Sequence, residues 1–199
     1  GTHAGEIVSV APHPTNAYAV TFGADGAWAF HDVGKAETLS VTRGDGAGYG
    51  VGGFHPDGLI AAACGVDGKT RLWDVKAQKR AAELEGHSDA VTSLSFSENG
   101  YYVATAAADG ARVWDLRKLK ELRAFASADA KNPVSVAFDH SGHYLALGSG
   151  SELSVRAVKQ DWEVVKQWQA PKTVLSVAFG EDARSVFAGC ADHNLRVYA

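Results

Sequence analysis

Residues 96–115 read Phe96-Ser97-Glu98-Asn99-Gly100-Tyr101-Tyr102-Val103-Ala104-Thr105-Ala106-Ala107-Ala108-Asp109-Gly110-Ala111-Arg112-Val113-Trp114-Asp115. Phe96 closes one short run, a polar Ser-Glu-Asn-Gly turn follows, and a run of small apolar residues leads to Asp109-Gly110. A third run closes on Trp114-Asp115. Asp-Gly signals a tight hairpin, because glycine accepts positive φ. Short runs bounded by turn formers read as strands, and a strand that is apolar at every position is buried on both faces.

The same order of signals recurs along the chain. Phe54, Phe138 and Phe179 each stand before a polar turn, and Pro12 holds that place first, so the steps from Pro12 are 42, 42, 42 and 41 residues. Trp73-Asp74 lies 41 residues before Trp114-Asp115, and His31-Asp32 lies 42 before Trp73. Arg156 and Tyr198 continue this slot at steps of 42. A turn aspartate recurs at Asp25, Asp67, Asp109 and Asp192. Three landmarks in one register define repeats at roughly 1–43, 44–85, 86–126, 127–168 and 169–199.

Each repeat carries two more strand signals. Leu59-Ile60-Ala61-Ala62-Ala63-Cys64 and Ser185-Val186-Phe187-Ala188-Gly189-Cys190 match the small apolar run, and Ala81-Ala82-Glu83-Leu84 is a polar run suited to an outer edge. Four strands in about 42 residues make a propeller blade. The expectation is one all-β propeller domain over 1–199, with five four-stranded repeats and the last short of its outer strand. It would be either an incomplete propeller or a five-bladed ring. Open blade edges in the first case would favour self-association.

Composition agrees with a packed core: 199 residues, 46 % hydrophobic and 21 % charged, with 22 Gly, 5 Pro and 2 Cys. A net charge of −4 argues against direct nucleic-acid contact. No stretch approaches the roughly 18 apolar residues of a membrane-spanning helix, so no membrane partner is expected. Gly1-Thr2-His3-Ala4-Gly5-Glu6 lacks signal-peptide features, and with no initiator Met the chain reads as a fragment or processed product. Cys64 and Cys190 lie 126 residues apart in apolar runs, which fits buried thiols in a reducing compartment.

Trp73-Asp74, Trp114-Asp115 and the Gly86-His87 opener resemble WD40 repeats. Phe96 to Ala107 and Val113-Trp114-Asp115-Leu116-Arg117-Lys118-Leu119-Lys120 are similar to the C-terminal propeller of the pre-mRNA-processing factor nineteen family. Phe54 to Ile60 and Tyr144-Leu145-Ala146-Leu147-Gly148 share that likeness. The resemblance implies a nuclear, splicing-associated ubiquitin ligase whose U-box and coiled coil are not in this sequence. The chain would then be a non-catalytic platform that recruits splicing components or ubiquitylation substrates. A WD40 scaffold of an unrelated complex is the alternative.

The resemblance also implies a structural hydrogen-bonding set, matched to His87, Thr105, Asp109 and Trp114 in the third repeat and partly to His3, Thr21 and Asp25 in the first. The second and fourth repeats lack the Gly-His opener, and the third is one residue short between Asp109 and Trp114.

No constellation argues for an enzyme, cofactor or metal. Gly48-Tyr49-Gly50-Val51-Gly52-Gly53 satisfies G-x-G-x-x-G, but a strand follows it where a dinucleotide site needs a helix N-terminus. His140 and His143 flank a turn with no third ligand at metal spacing. The basic run Arg117-Lys118-Leu119-Lys120, with Lys76, Lys79 and Arg80 one repeat earlier, is expected to be neutralised by Asp57, Glu98, Asp139, Glu181 and Asp182 in the turns between first and second strands. Partner contacts are expected from the opener loops and first-strand starts, at Glu6, Tyr49, Asp89, Lys131 and Lys172, with Tyr49 as an exposed aromatic anchor.

Overall fold

The computed structural model describes residues 2–44, 47–127, 134–181 and 183–199. Its strands pair with their sequence neighbours into five antiparallel sheets, as the repeat implies, and the one helical element among the described residues is a 3-10 turn at Val158–Gln160. The chain divides into two compact units, Gly1–Val91 and Thr92–Ala199.

The first unit holds two sheets. One is β1 (Ile7–Pro12), β2 (Tyr18–Gly23), β3 (Ala27–Asp32) and β4 (Glu37–Arg43); the other is β5 (Tyr49–Phe54), β6 (Ile60–Gly65), β7 (Thr70–Asp74) and β8 (Lys79–Leu84). The second unit holds three. They are β9 (Ser93–Phe96), β10 (Tyr102–Ala107), β11 (Gly110–Asp115) and β12 (Lys120–Ala126); β13 (Val134–Phe138), β14 (Tyr144–Ser149), β15 (Glu152–Ala157) and β16 (Glu163–Gln169); and β17 (Val174–Phe179), β18 (Val186–Cys190) and β19 (Leu195–Tyr198).

The second strands form the core. β6 from Ala61, β10 from Val103 and β14 from Leu145 are buried at every residue, so both faces of each are covered. Fourth strands β4, β12 and β16 are mostly exposed, which suits their charged sequences. Within the first unit Val20, Phe22, Trp28, Tyr49, Ala61, Ala63 and Trp73 form one buried cluster. Within the second unit Ala104, Val113, Val136, Phe138, Leu145 and Trp162 form one cluster, and Leu153, Val155, Val174, Val186 and Ala188 belong to another.

The landmark residues have mechanical roles. The aspartate after the Trp slot shapes the connection to the fourth strand: Asp32 accepts the Lys35 N–H (3.0 Å), Asp74 the Ala77 N–H (2.7 Å) and Asp115 the Arg117 N–H (2.9 Å). Ala157 replaces this acid in the fourth repeat, and the chain turns through the 3-10 segment with Asp161 and Trp162 at positive φ. The shorter hairpin of the third repeat closes as Ala107 paired with Gly110, with Gly110 at φ +134°.

Serine hydroxyls link the innermost strands. The Ser9 Oγ accepts the Gly52 N–H (3.2 Å) within the first unit. In the second unit Ser93 accepts the Val136 N–H (3.1 Å), Ser95 the Phe138 N–H (2.9 Å) and Ser135 the Val177 N–H (3.2 Å). Each bond satisfies a backbone donor that no ladder reaches, on strands that belong to different sheets.

Candidate functional site

The opener segments of the first, third and fifth repeats each lie against a turn between a second and a third strand. The Glu6 carbonyl accepts the Ala24 N–H (2.8 Å), beside Asp25. The His87 and Asp89 carbonyls cover Gly68, so closely that a Cβ there would lie 2.5 Å from the His87 oxygen. The Thr173 carbonyl accepts the Ala191 N–H (2.9 Å), next to Asp192. Glu6, Asp89 and Lys172 are therefore exposed on loops that are anchored through their backbones. Lys131 lies outside the described residues.

Tyr49 corrects the expectation of an exposed anchor. It is 1 % exposed and meets Phe22 edge-on, with centroids 6.1 Å apart. The neighbouring glycines enclose it: a Cβ on Gly44 would lie 2.5 Å from the Tyr49 hydroxyl, and one on Gly52 would lie 2.3 Å from the Phe22 ring. The glycine-rich run thus makes room for aromatic packing within the first unit. The run itself forms β5, rather than preceding a strand, and no helix terminus follows it to receive a phosphate.

The third repeat keeps part of its structural set in view. Trp114 Nε1 donates to the buried Thr105 Oγ1 (2.8 Å), and Asp109 faces Arg112 (3.5 Å). His87 is half-buried in the other unit. In the second repeat Ala63 stands where Thr105 stands in the third. Trp73 accordingly has a buried Nε1–H with no partner among the described residues. Asp67 turns to Arg71 (2.7 Å), whose guanidinium holds the carboxyl below its ordinary value; Asp192 and Arg196 repeat this pairing at 2.6 Å.

The first repeat carries a longer chain. Asp25 accepts from the Ala4 N–H (2.7 Å), the Ala27 N–H (3.1 Å) and His3 Nδ1 (3.3 Å). The Ala4 bond contributes most to holding Asp25 at about 2. His3 Nε2 and His31 Nε2 each lie 2.8 Å from Thr21 Oγ1, and His31 Nδ1 lies 3.2 Å from Thr38 Oγ1. Because the Asp25 carboxylate only accepts, a neutral His3 donates through Nδ1 and accepts the Thr21 hydroxyl proton at Nε2. Thr21 then accepts from His31 Nε2–H, and His31 Nδ1 accepts from Thr38. His31 is the participant that sequence reasoning missed. Its signal was its place in the Trp slot, since an imidazole N–H can donate to the slot's threonine as an indole does. Burial, and then the nearby His3, lowers the His31 pKa.

Arg117 does not spread its charge over the first-turn acids as expected. It binds Asp115 (2.7 Å) in its own turn and lies 4.4 Å from the centre of the Tyr101 ring. A guanidinium next to a carboxylate gains more from that pair than from distant turns. The nearly buried Asp115 is held below its usual range by this bond. His140 and His143 are exposed, and the described residues hold no group of three metal-binding side chains. Burial pushes the Cys64 thiol up to about 12, so it is not a nucleophile near neutral pH.

Residues 41–74, 78–115 and 162–199, more than half of the chain, match the family described as "WD domain, G-beta repeat". A 60-residue stretch is 41 % identical to Pre-mRNA-processing factor 19 homolog 2 of Arabidopsis thaliana. That stretch is 29 % of this chain and 11 % of the plant protein, so the likeness spans about a tenth of the relative.

Two outcomes follow from the Trp and threonine slots. Ala63→Ser supplies an acceptor for Trp73 Nε1 and is expected to raise stability by about 1 kcal/mol in urea unfolding. Both Asp25 and His31 bind protons less readily when folded, so their contributions are complete at high pH and are lost in acid. Urea midpoints should fall first as pH drops below about 6.5, through His31, and again between about pH 4 and 2, through Asp25. His31→Trp should remove the upper limb and Asp25→Asn the lower.

Proposed function

Because the chain belongs to the WD40-repeat family, whose domains mediate protein–protein interactions and are in general non-catalytic, we propose that it is a non-catalytic recruiting platform of a nuclear pre-mRNA splicing and ubiquitin-ligase complex. The observation that carries the splicing assignment is the 41 % identity to Pre-mRNA-processing factor 19 homolog 2. The whole-chain repeat register supports reading that identity as shared ancestry of a propeller domain rather than of one isolated repeat. No side chain described above is poised as a nucleophile: the buried Cys64 thiol is protonated, and Asp25, Asp67 and Asp115 are engaged in local bonds.

Recognition is assigned to the opener loops. Their backbones are tied to the neighbouring turns, so Glu6, Asp89 and Lys172 are presented on stiff supports at little ordering cost. The same geometry would serve a scaffold of another complex, which the WD40 match by itself equally favours.

Affinity purification of the tagged chain from nuclei of its source organism, followed by mass spectrometry, should enrich splicing-complex proteins. Asp89→Lys with Lys172→Glu should weaken that enrichment while changing stability by no more than about 0.5 kcal/mol each. Enrichment of an unrelated assembly would favour the scaffold reading instead.

A further inference from the structure

Three turns of the second unit border a cavity of about 460 Å³. They join β9 to β10, β13 to β14 and β17 to β18, and β19 contributes none of the lining. Phe96, Phe138 and Phe179, the last residues of the three first strands, line the cavity. Phe138 is buried against Trp162, while Phe96 and Phe179 are half-buried.

The turns are built alike, each closed by two backbone bonds. The Ser97 N–H meets the Tyr102 carbonyl (2.9 Å) and the Gly100 N–H meets that of Ser97 (2.8 Å). Asp139 pairs in the same way with Tyr144 (3.0 Å) and Gly142 (3.0 Å), and Gly180 with Ser185 (2.9 Å) and Ala183 (3.1 Å). The next residue in each turn, two beyond the phenylalanine, is thereby held at an equivalent place on the rim. These residues are Glu98, His140 and Glu181, all exposed. His140 Nδ1 lies 4.0 Å from Glu98 Oε2.

The turn does not itself demand an acid there, since Pro14 and Pro56 hold the same place in the first unit. Besides His140, the ionisable lining residues are Glu98, Asp139 and Glu181, and no lysine or arginine lines the cavity. Asp139 is 2 % exposed and accepts the Ser141 N–H (3.0 Å) and the Tyr144 N–H (2.7 Å), so its charge is fixed in the wall. Neither Glu98 nor Glu181 pairs with a lysine or arginine among the described residues. These groups do not converge as metal ligands do. The cation that suits them is larger, with a planar body for the rings and donors that reach two rims. A guanidinium has both properties.

We infer that this cavity receives an arginine side chain of a partner protein. Its guanidinium lies against the half-buried Phe96 and Phe179 rings and donates to Glu98 and Glu181, and the fixed charge of Asp139 adds to the attraction. The stiff turns hold the acids in place before binding, which lowers the ordering cost. This contact is separate from the opener loops, which enter the same first strands at their other ends. It rests on the platform reading only for the partner's being a protein.

The test follows amide chemical shifts of the full chain during titration with a capped Gly-Gly-Arg-Gly-Gly peptide. Saturable shifts are expected at Glu98, His140 and Glu181. The citrulline peptide, similar in shape but uncharged, should bind about fivefold more weakly, and the lysine peptide about threefold. Glu98→Gln with Glu181→Gln should weaken the arginine peptide about fivefold without moving the urea midpoint, because both residues are exposed. Ala178→Trp, at an exposed lining position, should block the cavity. Asp89→Lys with Lys172→Glu should leave the titration unchanged, which separates this site from the opener loops. Absent saturation, citrulline or lysine binding as tight as arginine, or full affinity in the double glutamine or Ala178→Trp variant would overturn the inference, whatever the affinity purification enriches.

Discussion

A four-stranded sheet whose second strand is apolar on both faces cannot remain folded by itself, because one face would always meet water. Every other feature of this chain answers to that constraint. Ala61–Gly65, Val103–Ala107 and Leu145–Ser149 are buried at each position. Their sheets therefore stack face to face within each unit, and the 42-residue period is the sequence trace of that stacking. Small residues suit these strands, since a thin sheet lets large side chains such as Phe22 reach across to the next backbone at Gly52.

Stacking of apolar faces does not set where one sheet stops relative to the next. Directional bonds do that. Serine hydroxyls at the innermost strands tie Ser9 to Gly52 and Ser93 to Val136, and the turn aspartates hold either an opener segment, as Asp25 does through Ala4, or a local arginine, as Asp67 and Asp192 do. The Trp slot shows how much chemistry this role tolerates. Trp114 donates to Thr105, His31 donates to Thr21, and Trp73, with Ala63 in the threonine's place, has no partner for its indole N–H among the described residues. Each variant keeps the fold because hydrophobic stacking dominates and one neutral hydrogen bond contributes only about 1 kcal/mol.

The fold was legible in the sequence because its signals repeat: Phe96, Asp109 and Trp114 mean little once and a great deal in register. The site was only partly legible. Tyr49 reads as exposed on its position at a strand start, but its burial depends on Gly44, Gly52 and Phe22, and Phe22 belongs to the preceding repeat. The serine bridges were hidden because a serine in a strand reads as one polar position in an alternation, while its partner lies some 43 residues away. Arg117 illustrates the opposite failure: its partner, Asp115, was two residues away, and the more distant acids drew the expectation.

The central claim is that stability resides in the doubly covered second strands. Native-state hydrogen exchange across a series of low urea concentrations tests it directly. The amides of β2, β6, β10 and β14 should exchange only through the largest openings, with the steepest urea dependence, while those of β4, β16 and β19 exchange through small local ones. Rapid, urea-independent exchange in the second strands, or greatest protection in the outer ones, would contradict the account.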